Sequence, residues 1–229
     1  MPLFPNLPAR SQFVRQASNL WRVKQLFHQH LCHQLRADTC NVHLIDGFPI
    51  ELCKLTRVRK CKSFKGDANH SYCASKDMKY FGFHGHLLVD GRGIPVEFTV
   101  TAANVDERDA AYEIINNIKG LLIGDKGLIR PILNQECSQA DIYLQTPLRK
   151  NMKDERPKWV VKQLMNVRRK IETTIGQLVE YFDIEHINCR DLWHLTSRMG
   201  RKILGLSIGG YLNLELGKDS MKFEGMLAG

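Results

Sequence analysis

The sequence predicts a mixed α/β fold, and three observations support this prediction. Apolar residues recur with a helical period near the N-terminus and again over residues 157–182. Between these regions, alternating or wholly apolar runs end in Gly, Pro, Asn or Asp, which is typical of strands and turns. The elements follow one another as three strands, a helix, a strand, a short helix, a strand and then helices. This order indicates one mixed sheet flanked by helices.

The N-terminal residues 1–38 are predicted to form a basic helical segment. From Ser11 to Leu35 the apolar side chains recur with a helical period, which fits either one bent helix or two. Residues 1–37 contain no Asp or Glu, and their basic residues are Arg10, Arg15, Arg22, Lys24 and Arg36.

Five strands are predicted, and the first carries an acid, Asp46, in a largely apolar run. Gly47-Phe48-Pro49 is expected to bend or end this strand. Asp90-Gly91-Arg92-Gly93 is expected to form a hairpin turn between the second and third strands. Residues 121–123 are apolar throughout, which indicates a strand buried on both faces. The predicted strands are residues 41–52, 80–89, 94–102, 121–123 and 142–146.

The remaining segments are predicted to be helices, the first of them with Asp106 as its N-cap. They cover residues 104–118, 128–135, 157–182 and 191–214. This order of strands and helices is that of a ribonuclease-H-like fold with a five-stranded mixed sheet, which we assign to residues 39–215. The Gly-containing residues 216–229 are expected to form a flexible tail.

Composition limits the class of protein. The chain has 229 residues, 43% of them hydrophobic, which is enough for a sizeable core without disulfides or structural metals. Its formal net charge is +9, so a polyanion such as nucleic acid is the first candidate partner, against the plainer alternative of a protein that is merely basic. No apolar run approaches the ~20 residues that span a bilayer, and no signal peptide is expected.

The cysteines and histidines indicate neither a disulfide framework nor a zinc site. Seven Cys are scattered without a C-x-x-C pair, which favours reduced thiols. His28 and Cys32 are four residues apart on a predicted helix, but no second ligand cluster has matching spacing. His84 and His86 share one face of a strand, as polar residues on a sheet commonly do.

Asp46, on the first strand, and Asp125, directly after the fourth, are the first candidate catalytic residues. Cleavage of a phosphodiester by two Mg²⁺ ions needs hard oxygen ligands, so carboxylates must be brought together. If the two strands are adjacent, both carboxylates can face one crevice. Asp46 is the least ordinary acid, because a carboxylate in an apolar strand is costly to bury unless it is paired or bound to a metal.

Glu172, on the long helix, is the third candidate. The apolar stripe of that helix passes through Val167 and Ile171 and is expected to face the core. Glu172 lies about 100° round the helix from this stripe, where it can reach the edge of a sheet. Arg168 and Arg169 flank it on the same side. Each acid taken alone is more often structural, and a Glu beside two Arg is commonly a solvated ion-pair surface.

Two basic stretches lie near these acids in the sequence, residues 54–65 and 149–170. Lys and Arg side chains that contact phosphates give a steeply salt-dependent affinity for DNA, whereas a solubilising surface is the ordinary alternative. The candidate DNA-binding residues are Arg59, Lys60, Lys62, Lys65, Lys126, Arg168 and Arg169.

Six segments in order resemble a group of bacterial insertion-sequence transposases of the DDE type. The likeness extends from about residue 10 to about residue 215. The segments are Asp46-Gly47-Phe48-Pro49 and residues 59–66, 82–87, 101–107, 124–127 and 168–173.

This resemblance implies a ribonuclease-H-like catalytic domain that hydrolyses phosphodiester bonds at transposon ends with two Mg²⁺ or Mn²⁺ ions and transfers the 3′-OH into target DNA. It matches Asp46, Asp125 and Glu172 to the metal-binding catalytic triad, and Arg168 to the Arg that precedes the Glu. It further implies double-stranded DNA as the partner, both terminal inverted repeats and target. A homodimeric active complex and a cytoplasmic, nucleoid-associated location follow from it as well.

The sequence departs from that family pattern in three places. Gly47 stands where a Ser is common, and Gln177 and Glu180 stand where a Lys would follow Glu172. The N-terminus begins later than in relatives, as expected of a truncated copy. Two further functions therefore stay open: an inactive DNA-binding remnant, and a ribonuclease-H-like nuclease without strand transfer.

Overall fold

The structure, a computed structural model, describes residues 8–64 and 66–223. Its α-helices are Arg10–Asn19 (α1), Trp21–Gln34 (α2), Glu107–Ile114 (α3), Pro131–Gln139 (α4), Lys158–Phe182 (α5) and Leu192–Glu215 (α6). Its strands are Val42–Cys53 (β1), Asn69–Cys73 (β2), Met78–Asp90 (β3), Pro95–Ala102 (β4), Gly120–Ile123 (β5) and Ile142–Gln145 (β6).

The strands form one mixed sheet with the order β2-β3-β1-β5-β6, and β4 also pairs with β3. β3 is antiparallel to β1, β2 and β4, whereas β5 is parallel to both β1 and β6. Three antiparallel strands followed by strand–helix alternation is the predicted ribonuclease-H-like order, so the fold class is confirmed.

The sheet has six strands in the described ranges where five were predicted, and β2 is the additional one. β2 pairs with β3 over residues 78–82, and β4 continues along the same strand over residues 83–89. The sequence of β2, NHSYC, is short and polar and has no fully buried residue. A strand with so little apolar patterning gives no period-2 signal.

β1 continues through Gly47-Phe48-Pro49 in register with β3, so the strand does not end at this point, contrary to one of the two predicted outcomes. The carbonyl of Asn41 accepts a hydrogen bond from the Leu121 N–H on β5. Because backbone groups alternate between the two edges of a strand, Pro49 faces the same edge as Asn41. β5 pairs with β1 only over residues 42–44, so the missing N–H of Pro49 interrupts no ladder.

Helices cover both faces of the sheet and bury an apolar core on each face. On one face, α5 and α6 pack on apolar side chains of the central strands, among them Leu44, Phe48 and Leu87, and α5 contributes Ile171 to this core. On the other face, α3 and α4 bury a second set of apolar residues. That set includes Ile45, Leu88, Ala111, Ile114, Leu122 and Leu133. β1 and β5 therefore lie between two helical layers.

Some helix bounds differ from the prediction for local reasons. Asp106 is the N-cap of α3, as predicted, and accepts the Arg108 N–H at 2.9 Å. However, α3 ends at Ile114, just before Asn116-Asn117, which have low helix propensity. α4 begins at Pro131, later than predicted, because Pro is favoured at the first helical position.

The two ends of the described chain pack against α6. The N-terminal segment forms two helices, of which α2 contacts α6 and α1 has no buried residue. Within the segment predicted to be a flexible tail, Phe223 is buried and the Asn213 side chain donates to the Lys222 carbonyl at 2.9 Å.

Residues 1–7 and 224–229 lie outside the described ranges, and the domain division at residues 38 and 215 stays a prediction. No helix within 8–64 or 66–223 is both long and apolar enough to cross a bilayer.

Candidate active site

Asp46 and Asp125 occupy equivalent positions on two adjacent parallel strands. Leu44 on β1 pairs with Ile123 on β5, and each acid follows its paired residue by two positions. Residues two apart on a strand share a face, so Asp46 lies on the same face as the buried Leu44, the face covered by α5. β5 ends at Ile123, so Asp125 follows the end of its strand beside the part of β1 that carries Asp46. The predicted adjacency of the two strands is therefore observed.

The Asp46 carboxylate is largely buried at the open edge of β1. Its side chain is 19% exposed, and its Oδ1 accepts the Gly47 N–H at 2.9 Å. Burial raises the pKa of Asp46 above the ordinary value for an aspartate, and the nearby Asp125 and Glu172 add to that rise. The Arg168 guanidinium and the Gly47 N–H lower the pKa of Asp46, but burial outweighs both. A positive neighbour is therefore needed to stabilise the charged form of the Asp46 carboxylate.

α5 supplies that positive neighbour through Arg168. Burial of Ile171 fixes the rotation of α5 over the sheet. Arg168 Nη2 donates to Asp46 Oδ2 at 2.8 Å and lies 3.8 Å from Asp125 Oδ1, while Nη1 donates to Glu172 Oε1 at 2.8 Å. The structure therefore gathers Asp46, Asp125 and Glu172 around one guanidinium.

Glu172 is the most exposed of the three acids, with a side chain that is 52% exposed. Its pair with Arg168 has i,i+4 spacing and by itself is what an ordinary helix surface shows. Arg168 differs from an ordinary helix-surface partner because its other terminal nitrogen, Nη2, donates to the carboxylate of Asp46 on β1. Asp46 lies 122 residues away in sequence. Around Gly176, one turn further on, a Cβ would meet open space.

The chemistry of these donors fits a hard divalent cation, because carboxylate oxygens are the ligands that Mg²⁺ prefers. A positive group, Arg168, already lies where the three acids converge. Within residues 8–64 and 66–223, no three His, Cys, Asp or Glu side chains lie close enough together to hold a metal ion. The three carboxylates lie around the Arg168 guanidinium, so a bound metal ion would have to displace part of that guanidinium.

Two residues near the site were not among the predicted site residues. Glu107, in the first turn of α3, lies with Oε1 3.8 Å from Nε2 of His84. Burial, followed by the charges of Asp46 and Asp125, raises the pKa of Glu107. An acid in the first turn of a helix is ordinary, since it complements the helix dipole, and so it gives no sequence signal of its own. His84 was interpreted only as part of a polar sheet face.

The predicted DNA-binding residues fall into two groups. Arg168 is directed inward, towards the acids, with a side chain that is only 13% exposed. Five others are exposed, and none of these five forms an ion pair with a carboxylate of the described residues. They are Arg59, Lys60, Lys62, Lys126 and Arg169. Lys65 lies outside the described residues.

Comparison with known families shows that the family described as the transposase DDE domain matches residues 36–192, more than half of the chain. Comparison with curated proteins found no match. Among solved structures, the chain is similar to the piggyBac transposase in a synaptic complex with hairpin DNA, at 11% sequence identity and a TM-score of 0.49. That match covers 80% of this chain and 49% of the other, so this chain spans about half of the length of that protein. A likeness this distant decides nothing about the site.

Proposed function

We propose that this chain, which belongs to the transposase DDE domain family, cleaves phosphodiester bonds at transposon ends and joins the resulting 3′-OH to target DNA. The reaction would depend on two Mg²⁺ or Mn²⁺ ions. One observation supports this proposal most directly: Asp46, Asp125 and Glu172 converge on a single positive group, Arg168.

Asp46, Asp125 and Glu172 would hold the metal ions. When bound, such ions activate a water and neutralise charge on the leaving oxygen. The fold would position these ligands. The pairing of β1 with β5 determines the spacing of Asp46 and Asp125, and the packing of Ile171 determines where α5 holds Glu172 relative to them. Arg168 balances part of the acidic charge in the absence of metal, which limits the mutual repulsion of the carboxylates.

DNA contacts are proposed at the exposed basic residues. Arg59, Lys60 and Lys62 lie beyond the end of β1 at Cys53, which is roughly 20 Å along the strand from Asp46. Lys126 directly follows Asp125, and Arg169 is exposed on α5. A duplex positioned with a phosphate at the acids could therefore meet positive charge both at the cleavage point and several base pairs away. Lys65 stays part of this proposal on sequence alone.

Further parts of the proposal follow from the resemblance to bacterial insertion-sequence transposases. These are a homodimer in the active complex, terminal inverted repeats as the recognised DNA, and a cytoplasmic location at the nucleoid. Gel filtration of the purified chain with and without duplex DNA tests the homodimer directly.

The decisive experiment is a nicking and joining assay. A duplex made from the DNA that flanks the gene is incubated with the protein and with MgCl₂ or MnCl₂, and a pre-cut duplex with a free 3′-OH is offered a supercoiled plasmid. Asp46→Asn, Asp125→Asn and Glu172→Gln should each reduce nicking by about a hundredfold or more. Asp141→Asn is the matched control, because Asp141 is exposed, pairs with Lys119, and has a positive φ that Asn tolerates.

The assay also separates the alternatives. Wild-type nicking in all three active-site variants would refute the triad. DNA binding with no metal-dependent cleavage by the wild-type chain would favour an inactive DNA-binding remnant. Cleavage without any joined product would favour a nuclease that only hydrolyses.

A further inference from the structure

The buried face of α5 carries one polar side chain, Thr174, between the apolar Ile171 and Leu178. Its Oγ1 lies 2.8 Å from the carbonyl oxygen of Gly93, in the turn between β3 and β4, and 3.0 Å from the carbonyl oxygen of Lys170 on its own helix. A buried hydroxyl is costly unless it forms a hydrogen bond, and Val has the same shape without that cost. Packing alone therefore does not explain a Thr at this position.

The turn that accepts the hydrogen bond is held rigidly. The carboxylate of Asp90 is fully buried and accepts the backbone N–H groups of Arg92 and Ile94, each at 2.9 Å. Gly93 has a φ of +98°, and a Cβ there would lie 2.7 Å from Thr174 Oγ1. A glycine is thus required both by the backbone conformation and by the close approach of α5.

This turn is joined directly to the strand that carries the first proposed metal ligand. β3 pairs with β1 in unbroken register from its last residue, Asp90, to Leu87, which lies opposite Asp46. On α5, Thr174 follows Glu172 by two residues. The hydrogen bond from Thr174 to the turn therefore connects the helix side of the proposed site to its sheet side.

We propose that Thr174 is a positioning residue for Glu172 and Arg168, an inference that rests on the proposed function. Burial of apolar side chains is not directional, so it keeps one face of α5 on the sheet without fixing the helix along its axis. A hydrogen bond restricts both distance and angle. The contact between Thr174 and Gly93 fixes α5 along its axis relative to β1, and it thereby determines where Glu172 and Arg168 lie relative to Asp46.

The test is the nicking assay with the full chain, run over a series of MgCl₂ concentrations at a temperature where every variant is folded. Thr174→Val keeps the shape of the side chain and removes the hydroxyl. It should slow nicking by about tenfold or more and raise the MgCl₂ concentration needed for half of the maximal rate, with unchanged affinity for the duplex. Thr174→Ser restores the hydroxyl and should nick as the wild type does.

Thr173→Val is the matched control, because it is the same change at the exposed neighbour. The Thr173 hydroxyl donates to the Arg169 carbonyl of its own helix at 3.0 Å, so its loss should leave both the rate and the MgCl₂ requirement unchanged. A purely structural role of Thr174 would lower the melting temperature without raising the MgCl₂ requirement of the folded protein.

Gly93→Ala tests the same contact from the turn, since its Cβ would push the Gly93 carbonyl and Thr174 apart. It should also raise the MgCl₂ requirement. Gly217→Ala is its control, because Gly217 has a positive φ of +69° but a Cβ there meets nothing within 4 Å.

The outcomes separate this inference from the proposed function. If Thr174→Val and Gly93→Ala nick at the wild-type MgCl₂ requirement while Glu172→Gln is inactive, the positioning role is refuted and the proposed function stands. Failure of Thr174→Ser to restore the rate would refute the positioning role as well. A wild-type chain that does not nick refutes the proposed function, and this inference with it.

Discussion

Arg168 on α5 donates to Asp46 on β1 at 2.8 Å and to Glu172 on its own helix at 2.8 Å. One guanidinium therefore links the strand and the helix that carry two of the proposed metal ligands. Its Nε is buried and finds no hydrogen-bond partner among the described residues. The side chain is oriented by charge, since the acids hold its Nη atoms in spite of this loss.

Replacing Arg168 should make the metal-free protein less stable and more responsive to metal. Arg168→Ala leaves the buried Asp46 beside Asp125 and Glu172 without a positive partner, so we expect a loss of about 2 kcal/mol in the free energy of unfolding. MgCl₂ should then raise the melting temperature of the variant more than that of the wild type, because an ion can replace the lost charge. Thermal unfolding with and without MgCl₂ measures both effects.

Arg169→Ala is the control for this prediction, since Arg169 is the exposed neighbour on the same helix. Equal stability of the Arg168→Ala and Arg169→Ala variants would show that the link between α5 and β1 contributes nothing measurable.

The cost in stability of adding a side chain at Gly47 should depend on the presence of the His84 ring. Gly47→Ala places a Cβ 2.6 Å from His84 Nε2 in a packed site, which we expect to cost about 1–3 kcal/mol. In a His84→Ala background the ring is gone, so the added cost of Gly47→Ala should fall below about 1 kcal/mol. Urea unfolding of the four proteins in this double-mutant cycle gives the coupling energy.

Gly176→Ala serves as the comparison, because a Cβ there meets open space on an exposed part of α5. It should stabilise the protein by roughly 0.5–1 kcal/mol. Equal costs of Gly47→Ala in the presence and absence of His84 would argue against the contact.

His28 should make the protein less stable in mild acid. Burial lowers the pKa of His28 to about 4, from an ordinary value of 6.5. As the pH falls from 6.5 to about 4, the unfolded chain binds a proton that the folded chain does not, so stability is lost over this window and is fully present above it. His28→Gln should remove up to about 3 kcal/mol of this pH dependence.

The measurement is the free energy of unfolding at a series of pH values, and the slopes are compared. His30→Gln is the control, since His30 is exposed two residues further along α2. An unchanged slope in His28→Gln would contradict the assignment of a buried, neutral imidazole. Part of the slope should persist in that variant, because burial also lowers the pKa values of His84 and His86, to about 4 and about 3.

DNA affinity should lose salt dependence when the basic residues after β1 are neutralised. Replacing Arg59, Lys60 and Lys62 by Gln should make the slope of log K against log salt less steep by about 0.9 for each phosphate contact that is lost. Fluorescence anisotropy of a labelled duplex over a range of NaCl concentrations measures that slope. Lys119→Gln, at a residue already paired with Asp141, should leave it unchanged. A triple variant with the wild-type slope would place these residues outside the DNA interface.

The sequence by itself determined the elements whose signals are local. Helical periods, apolar runs and the Asp106 cap depend on residues a few positions apart, and they predicted the fold class and most elements correctly. Local signals failed where a non-local partner decided the outcome. β1 continues through Pro49 because no strand of the described residues pairs with that edge of β1 at this point, and the polar β2 is a strand because β3 offers it an edge.

Only the tertiary structure decided how the acids meet. Leu44 pairs with Ile123 across 79 residues of sequence, and that one pairing brings Asp46 beside Asp125. Sequence chemistry could nominate both acids, but no periodicity encodes the contact of two distant strands. The orientation of Arg168 towards Asp46, and the contact of Thr174 with Gly93, likewise follow from which buried faces pack together. Burial then sets the charge balance, because the same carboxylate in solvent would need no positive partner.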